Sequence, residues 1–236
     1  MNPQGEGRLG GDRLVGTMDA RTELHEAFAR VGKALANPHR VEMLDLLAQG
    51  ERSVDALADV AAISVGLASA HLQALRRAGL VASRRDGNRI LYRLSGDDVY
   101  SLLTALRTVA TGRIADADRA ARAYLGEPIE AVGRAELLDR VRAGTAIVVD
   151  LRPIEEYEAG HIAGALSIPL SDLEAHLAEI PADVEIVAYC RGPYCAMAPQ
   201  GVALLRRLGR RARRLEDGFP EWRLAELPIA TGRRPA

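Results

Sequence analysis

Apolar residues recur at helical spacing through the first half of the chain. Leu24, Phe28, Val31 and Leu35 share one helical face, and Asn37-Pro38 ends that helix, because the residue before a proline avoids the α region. The stretch 39–49 carries Val41, Leu44, Leu46 and Leu47 and is closed by Gly50. Ser53 is placed to cap a short helix bearing Val54, Leu57, Ala58 and Val60. After a turn at Ala61-Ala62-Ile63, Ser64 is placed to cap a further helix over 65–77 that stops at Gly79. Two runs, 80–85 and 89–94, flank Asp86-Gly87-Asn88 and predict a hairpin. One long helix is predicted over 97–124, with Val99, Leu102, Leu103, Leu106, Val109 and Ala110 as its apolar stripe.

Beyond Gly126-Glu127-Pro128 the texture changes. The runs 146–150 and 184–189 are apolar and β-branched, as buried parallel strands are. The stretches 134–143, 171–179 and 198–208 have helical spacing. Strand alternating with helix predicts a parallel sheet covered by helices.

Composition adds three points. No run approaches the ~18 apolar residues of a membrane span, so no membrane partner is expected. The Gly-rich N-terminus lacks the apolar core of a secretory signal, which makes the cytoplasm the expected location. The net charge of −1 conceals an asymmetry: 17 basic against 15 acidic side chains over 1–126, and 14 against 17 over 127–236. The stretch 71–93 holds Arg76, Arg77, Arg84, Arg85, Arg89 and Arg93 against Asp86 alone. That surplus suits nucleic-acid phosphates, although a solvated Arg-rich face is an alternative.

Two short helices, the second basic, followed by a basic hairpin predict a helix-turn-helix with a wing. The stretch 34–40 (ALANPHR), Ser64-Val65-Gly66-Leu67-Ala68-Ser69-Ala70-His71-Leu72, 75–81 (LRRAGLV) and the 87–94 hairpin resemble the ArsR family of winged-helix repressors over residues 20–112. The resemblance implies a homodimer built through the first and last helices of the unit and a double-stranded DNA operator as partner. Ser64, Ser69, His71 and Gln73 are the polar candidates on the recognition helix, with Leu67 placed to touch a thymine methyl. His71 has a second reading, a hydrogen bond within its own domain. Arg76, Arg77, Arg84, Arg85 and Arg89 are the phosphate candidates. Two departures stand out. Ser53-Val54-Asp55 occupies the place of the family's metal-binding Cys-x-Cys box, and no histidine lies between His71 and His161, so neither familiar metal site is implied. Gly66, Leu67 and Ala70 stand where relatives show polar residues.

The second half carries the chain's only two cysteines, Cys190 and Cys195. They could be nucleophile and partner, a redox switch, a metal clip or buried thiols. Cys190 follows a predicted strand and precedes a predicted helix. Backbone N–H groups and a helix N-terminus at such a turn favour an anion, so the Cys190 thiol is expected to be depressed and ready to hold a persulfide. The run 150–165 (DLRPIEEYEAGHIAGA), the strand ending at Cys190, and 217–223 (DGFPEWR) resemble a rhodanese domain over 129–230. The resemblance makes Cys190 the catalytic cysteine, Arg191, Gly192, Pro193 and Tyr194 its sulfur-site loop, and Asp150, Arg152 and His161 bracing residues. Where rhodanese loops commonly place a basic residue, this chain has Cys195, so thiosulfate turnover is expected to be weak and Cys195 is expected to resolve or sense modification of Cys190.

The resulting expectation is a two-domain chain: a mostly α winged helix-turn-helix followed by an α/β rhodanese-like domain with a parallel sheet. A tail at 1–18 precedes a DNA-binding and dimerisation unit at 19–125, a boundary at 126–133, a rhodanese-like unit at 134–230 and a tail at 231–236. The expected function is a DNA-binding regulator, a repressor, whose input is a sulfane-sulfur donor or an oxidant acting at Cys190. A sulfurtransferase tethered to a DNA-binding module and a metalloid-responsive repressor are the alternatives. No cofactor or metal is expected.

Overall fold

The computed structural model describes residues 18–232, so the expected tails fall, apart from Met18, Thr231 and Gly232, outside the described residues. Helices α1 (Met18–Leu35) and α2 (Pro38–Leu47) are separated by Asn37, whose side chain accepts from the Arg40 N–H and caps α2. Strand β1 (Arg52–Ser53) leads into α3 (Val54–Val60), capped by Ser53, and α4 (Val65–Arg77), capped by Ser64. The two are bent 110° apart, the angle of a helix-turn-helix. Gly79 closes α4 in the left-handed region at φ +76, as the sequence predicts. Strands β2 (Val81–Asp86) and β3 (Arg89–Leu94) form the hairpin, with Asp86 opposite Arg89 and a two-residue turn at Gly87-Asn88. Among the described residues no single helix is long and apolar enough to cross a membrane.

The predicted long helix is two helices. α5 (Asp97–Arg113) stops and α6 (Ala115–Leu125) starts at Ile114, which is extended at φ −114, ψ 106. Gly112 and the β-branched Ile114 weaken the helix at that point, and Asp116 and Asp118 favour a new N-terminus. Apolar periodicity alone runs through such a break. Met43, Leu44, Leu57, Leu72, Leu75, Tyr92, Tyr100 and Leu103 form the buried core of this half. The outward stripe stays uncovered: Phe28 is 62% and Val109 61% exposed, with Leu24, Leu102 and Leu106 beside them.

After β4 (Ala131–Val132) and α7 (Arg134–Arg142), the second half alternates β5 (Ala146–Asp150), α8 (Ile154–Ala159), β6 (His161–Ile162), β7 (Leu166–Ser167), β8 (Glu185–Tyr189), α9 (Met197–Arg207), β9 (Ala212–Leu215), α10 (Phe219–Leu224) and β10 (Ile229–Ala230). A five-stranded parallel sheet runs in the order β4-β9-β8-β5-β7. The helix predicted over 171–179 is absent. Two 3₁₀ turns, Leu170–Asp172 and Leu177–Glu179, take its place. Arg210 donates to the carbonyls of Leu177 and Ile180 at 3.1 Å, supplying from a side chain what a helix would supply from backbone.

Candidate functional site

β8 ends at Tyr189 and α9 begins at Met197, so Cys190 and Cys195 lie in the strand-to-helix turn between them. The Cys195 N–H donates to the Gly192 carbonyl at 3.1 Å, closing the loop into a turn, and the Phe219 N–H at the start of α10 donates to the Cys190 carbonyl at 3.2 Å. A methyl group on Gly218 would overlap the Gly192 backbone, so the loop lies against a surface that only glycine permits. Both thiols are unbridged.

The two thiols are pushed in opposite directions, and Cys190, expected to be depressed, is the one pushed up. Cys190 is 2% exposed, and its sulfur lies 3.6 Å from the Cys195 carbonyl oxygen and within hydrogen-bond reach of the Cys195 thiol. Burial, then the neighbouring Cys195 thiol, push Cys190 well above the usual thiol range, although the Ala198 and Gly192 N–H groups oppose the shift. Cys195 is brought down to about 7 by the hydrogen bond from Cys190, against its own burial, with the Met197 and Arg191 N–H groups and the Arg191 charge adding to the effect. The pair loses its first proton as a unit, and the first titration belongs to both thiols together. Iodoacetamide is therefore expected to label Cys195 before Cys190, with a rate midpoint near pH 7 that falls away in more acidic solution. In Cys190→Ser a weaker hydroxyl replaces the S–H, and the midpoint is expected to move up toward the ordinary ~8.5. Site-resolved mass spectrometry over a pH series reads both.

Asp150, Arg152 and His161 are buried. Asp150 and Arg152 are fully buried and paired at 2.6 Å, and the same guanidinium donates to the Gly160 carbonyl at 2.7 Å. His161 donates to the Tyr157 carbonyl at 2.8 Å and stacks on the Tyr157 ring. The Tyr189 hydroxyl donates to Asp150 and accepts from the Ile162 N–H, tying the strand before Cys190 to the same carboxylate.

Sequence reasoning missed the surface against which the loop rests. Gln49, at the end of α2, is buried; its amide donates to the Arg191 carbonyl at 3.1 Å and accepts from Arg152 at 3.1 Å. Buried Glu156 on α8 is gripped from both sides, by Arg191 of the loop at 2.6 Å and by Arg52 of β1. The Tyr194 hydroxyl meets Thr111 of α5 at 3.2 Å, and Arg107 of α5 lies 5.9 Å from the Tyr194 ring centroid. Tyr100, also on α5, donates to Glu221 at 2.6 Å, while the other Glu221 oxygen accepts from the Gly218 N–H. Arg223 reaches back to the Ala48 carbonyl and to Asp97. The sulfur loop is thus the contact layer between the two halves. No periodicity marks these residues, because their partners lie about a hundred positions away.

The DNA candidates divide into groups. Arg76, Arg77, Arg85 and Arg89 are exposed. Arg84 is exposed and paired with Glu51 at 2.7 Å. The Ser64 hydroxyl is occupied as the α4 cap, and Ser69 is half-buried. Gln73 turns away from the outer face of α4 and donates to the Tyr92 hydroxyl at 3.3 Å. His71 is half-buried beside His39, ring centroids 5.8 Å apart; desolvation, then Arg40 and His39, lower its pKa. The outermost stripe of α4 is Gly66, Leu67, Ala70, Ala74 and Arg77, spaced at three and four residues.

Comparison with known proteins agrees with this architecture. Residues 37–83 match the bacterial regulatory protein, arsR family, and residues 134–225 match the rhodanese-like domain. The chain is 51% identical over 219 residues to the HTH-type transcriptional regulator Rv0324 of Mycobacterium tuberculosis, covering 93% of this chain and 97% of that protein. It is 34% identical over 93 residues to a probable mercury resistance operon repressor of Streptomyces lividans, covering 39% of this chain and 74% of that one. Among solved structures, the homodimeric winged helix-turn-helix DNA-binding domain Mb0332 of Mycobacterium bovis is 46% identical, with a TM-score of 0.40, and covers 43% of this chain and 94% of that one. The chain belongs to the ArsR family of helix-turn-helix transcriptional regulators and carries a rhodanese-like domain behind its winged helix.

Proposed function

We propose that this regulator is a homodimeric repressor that releases its operator when the Cys190–Cys195 pair takes up sulfur. The observation that carries the reading is the seating of the sulfur loop on α2 and α5 through Gln49 and Thr111, and on β1 through Glu156, which Arg191 and Arg52 share. A change of loop conformation has to alter contacts with the winged helix, which gives modification a differential effect on the DNA-binding form. The uncovered stripes of α1 and α5 are the dimer face, with Phe28 and Val109 as its most exposed large side chains.

The chemistry reverses the order that the rhodanese resemblance implies. The Cys195 thiolate attacks a sulfane sulfur of a hydropolysulfide, forming Cys195–S–SH and expelling a shorter hydropolysulfide anion. Cys190 then gives up its proton and attacks the Cys195 sulfur, expelling hydrosulfide and leaving a disulfide. If a second sulfane sulfur has been taken up first, the bridge is a trisulfide. Cys195 stands where rhodanese loops commonly place a basic residue, which favours a stoichiometric sensor over a transferase. The test is a DNA titration at fixed salt, comparing reduced and polysulfide-treated protein. Loss of affinity on treatment, restored by a thiol reductant, supports the reading. Unchanged affinity, or continuous turnover abolished by Cys190→Ser, sinks it.

A further inference from the structure

Between α1, α2 and α4 lies a cleft of about 360 Å³ lined by Arg30, Lys33, Arg40 and Arg77, with Ala34, Ala74 and Ala78 also in its lining. We propose that this cleft is a DNA phosphate clamp, seating the sugar-phosphate backbone beside the groove that α4 enters.

Three observations point there. The lining holds four cationic side chains and no carboxylate, and among the described residues none of the four makes an ion pair. Cations gathered in this way repel one another unless an anion joins them. The Arg40 Nε is buried without a hydrogen-bond partner, although Arg40 donates through another nitrogen to the Lys33 carbonyl at 3.2 Å. A buried guanidinium donor without a partner is costly and marks a place for an acceptor. The alanines leave room for a phosphate to approach the helices closely.

Position selects DNA over a free anion. Ala74 and Arg77 are both cleft lining and the C-terminal end of the outer stripe of α4. A duplex that meets Gly66, Leu67 and Ala70 meets the cleft about two helical turns further on. Gly66, Leu67 and Ala70 offer no side-chain hydrogen bonds to base edges, so affinity has to come largely from the sugar-phosphate backbone. His71, at the same face, is held toward its neutral form by desolvation, Arg40 and His39, which leaves the arginines and Lys33 as the charge carriers.

The experiment measures operator affinity against salt for the full chain and for Arg30→Gln/Lys33→Gln, both exposed positions outside the helix-turn-helix and wing. The double variant is expected to bind about tenfold or more weakly near 0.1 M salt. The slope of log K against log salt is expected to flatten by about 0.9 for each phosphate that the variant no longer neutralises. The weakening should be equal for operator and unrelated duplex, because phosphates carry no sequence information. Unchanged slope overturns the proposal, including the case in which affinity falls because the dimer has weakened. Thermal stabilisation by millimolar inorganic phosphate that vanishes in the double variant, with the DNA slope intact, also overturns it and makes the cleft a free-anion site.

Discussion

Cys195→Ser protein is expected to bind its operator equally well before and after polysulfide treatment, whereas wild type loses affinity by roughly five- to 150-fold. The size follows from what lies between the two sulfurs. Bridging Cys190 to Cys195 removes the Cys190 S–H, which reaches the Cys195 carbonyl and thiol, and fixes the two ends of the loop, since a disulfide holds its Cα atoms about 4.4–6.8 Å apart. Arg191, Gly192, Pro193 and Tyr194 lie between them, and two of these hold the winged helix: Arg191 through Gln49 and Tyr194 through Thr111. Breaking these two hydrogen bonds, at about 0.5–1.5 kcal/mol each, gives a coupling of about 1–3 kcal/mol. Cys190→Ser is expected to take a sulfur onto Cys195 without closing the bridge, and so to show a smaller shift. Intact mass gives the product: loss of two hydrogens for a disulfide, or one added sulfur with the same loss for a trisulfide. A Cys195→Ser protein that releases DNA as wild type does places the switch elsewhere.

The parts of this switch differ in how visible they are in the sequence. Local chemistry was legible. Ser53 and Ser64 cap where a hydroxyl ahead of an apolar run predicts a cap, and Asp150, Arg152 and His161 are buried because short motifs place their own neighbours. The break at Ile114 was hidden, because an apolar stripe continues in register across a kink that backbone geometry, not side-chain pattern, produces. The missing helix at 171–179 was hidden by Arg210, a partner about thirty positions away. The acidity of the two thiols needed the third dimension: both lie ahead of a helix N-terminus, and the depth of Cys190 and the contact between the two sulfurs push them in opposite directions. Gln49 reads in sequence as one more polar residue at the end of a surface helix. Its burial depends on Arg152 and Arg191, more than a hundred residues later.

Gln49 also permits a sharp separation of stability from signalling. Gln49→Leu removes an acceptor from a fully buried guanidinium and a donor from the Arg191 carbonyl, so two buried polar groups lose partners at about 1–3 kcal/mol each. A lower urea midpoint, equivalent to about 2–6 kcal/mol, is expected. Gln49→Glu differs in one respect. A carboxylate still accepts from Arg152 but gives the Arg191 carbonyl nothing. Its charge is met directly by Arg152, with Arg52 and Arg191 close by, against Asp150 and Glu156 and the neighbouring Asp45 and Glu155. Gln49→Glu is therefore expected to fold and to bind operator in the reduced state about as wild type does, while its response to polysulfide shrinks to about threefold or less as the link from loop to α2 is cut. Anisotropy titrations of reduced and treated protein, alongside urea unfolding, measure both halves. A full response in Gln49→Glu shows that coupling runs through α5, by Tyr194 and Thr111, and that the hydrogen bond from α2 only holds the two domains together.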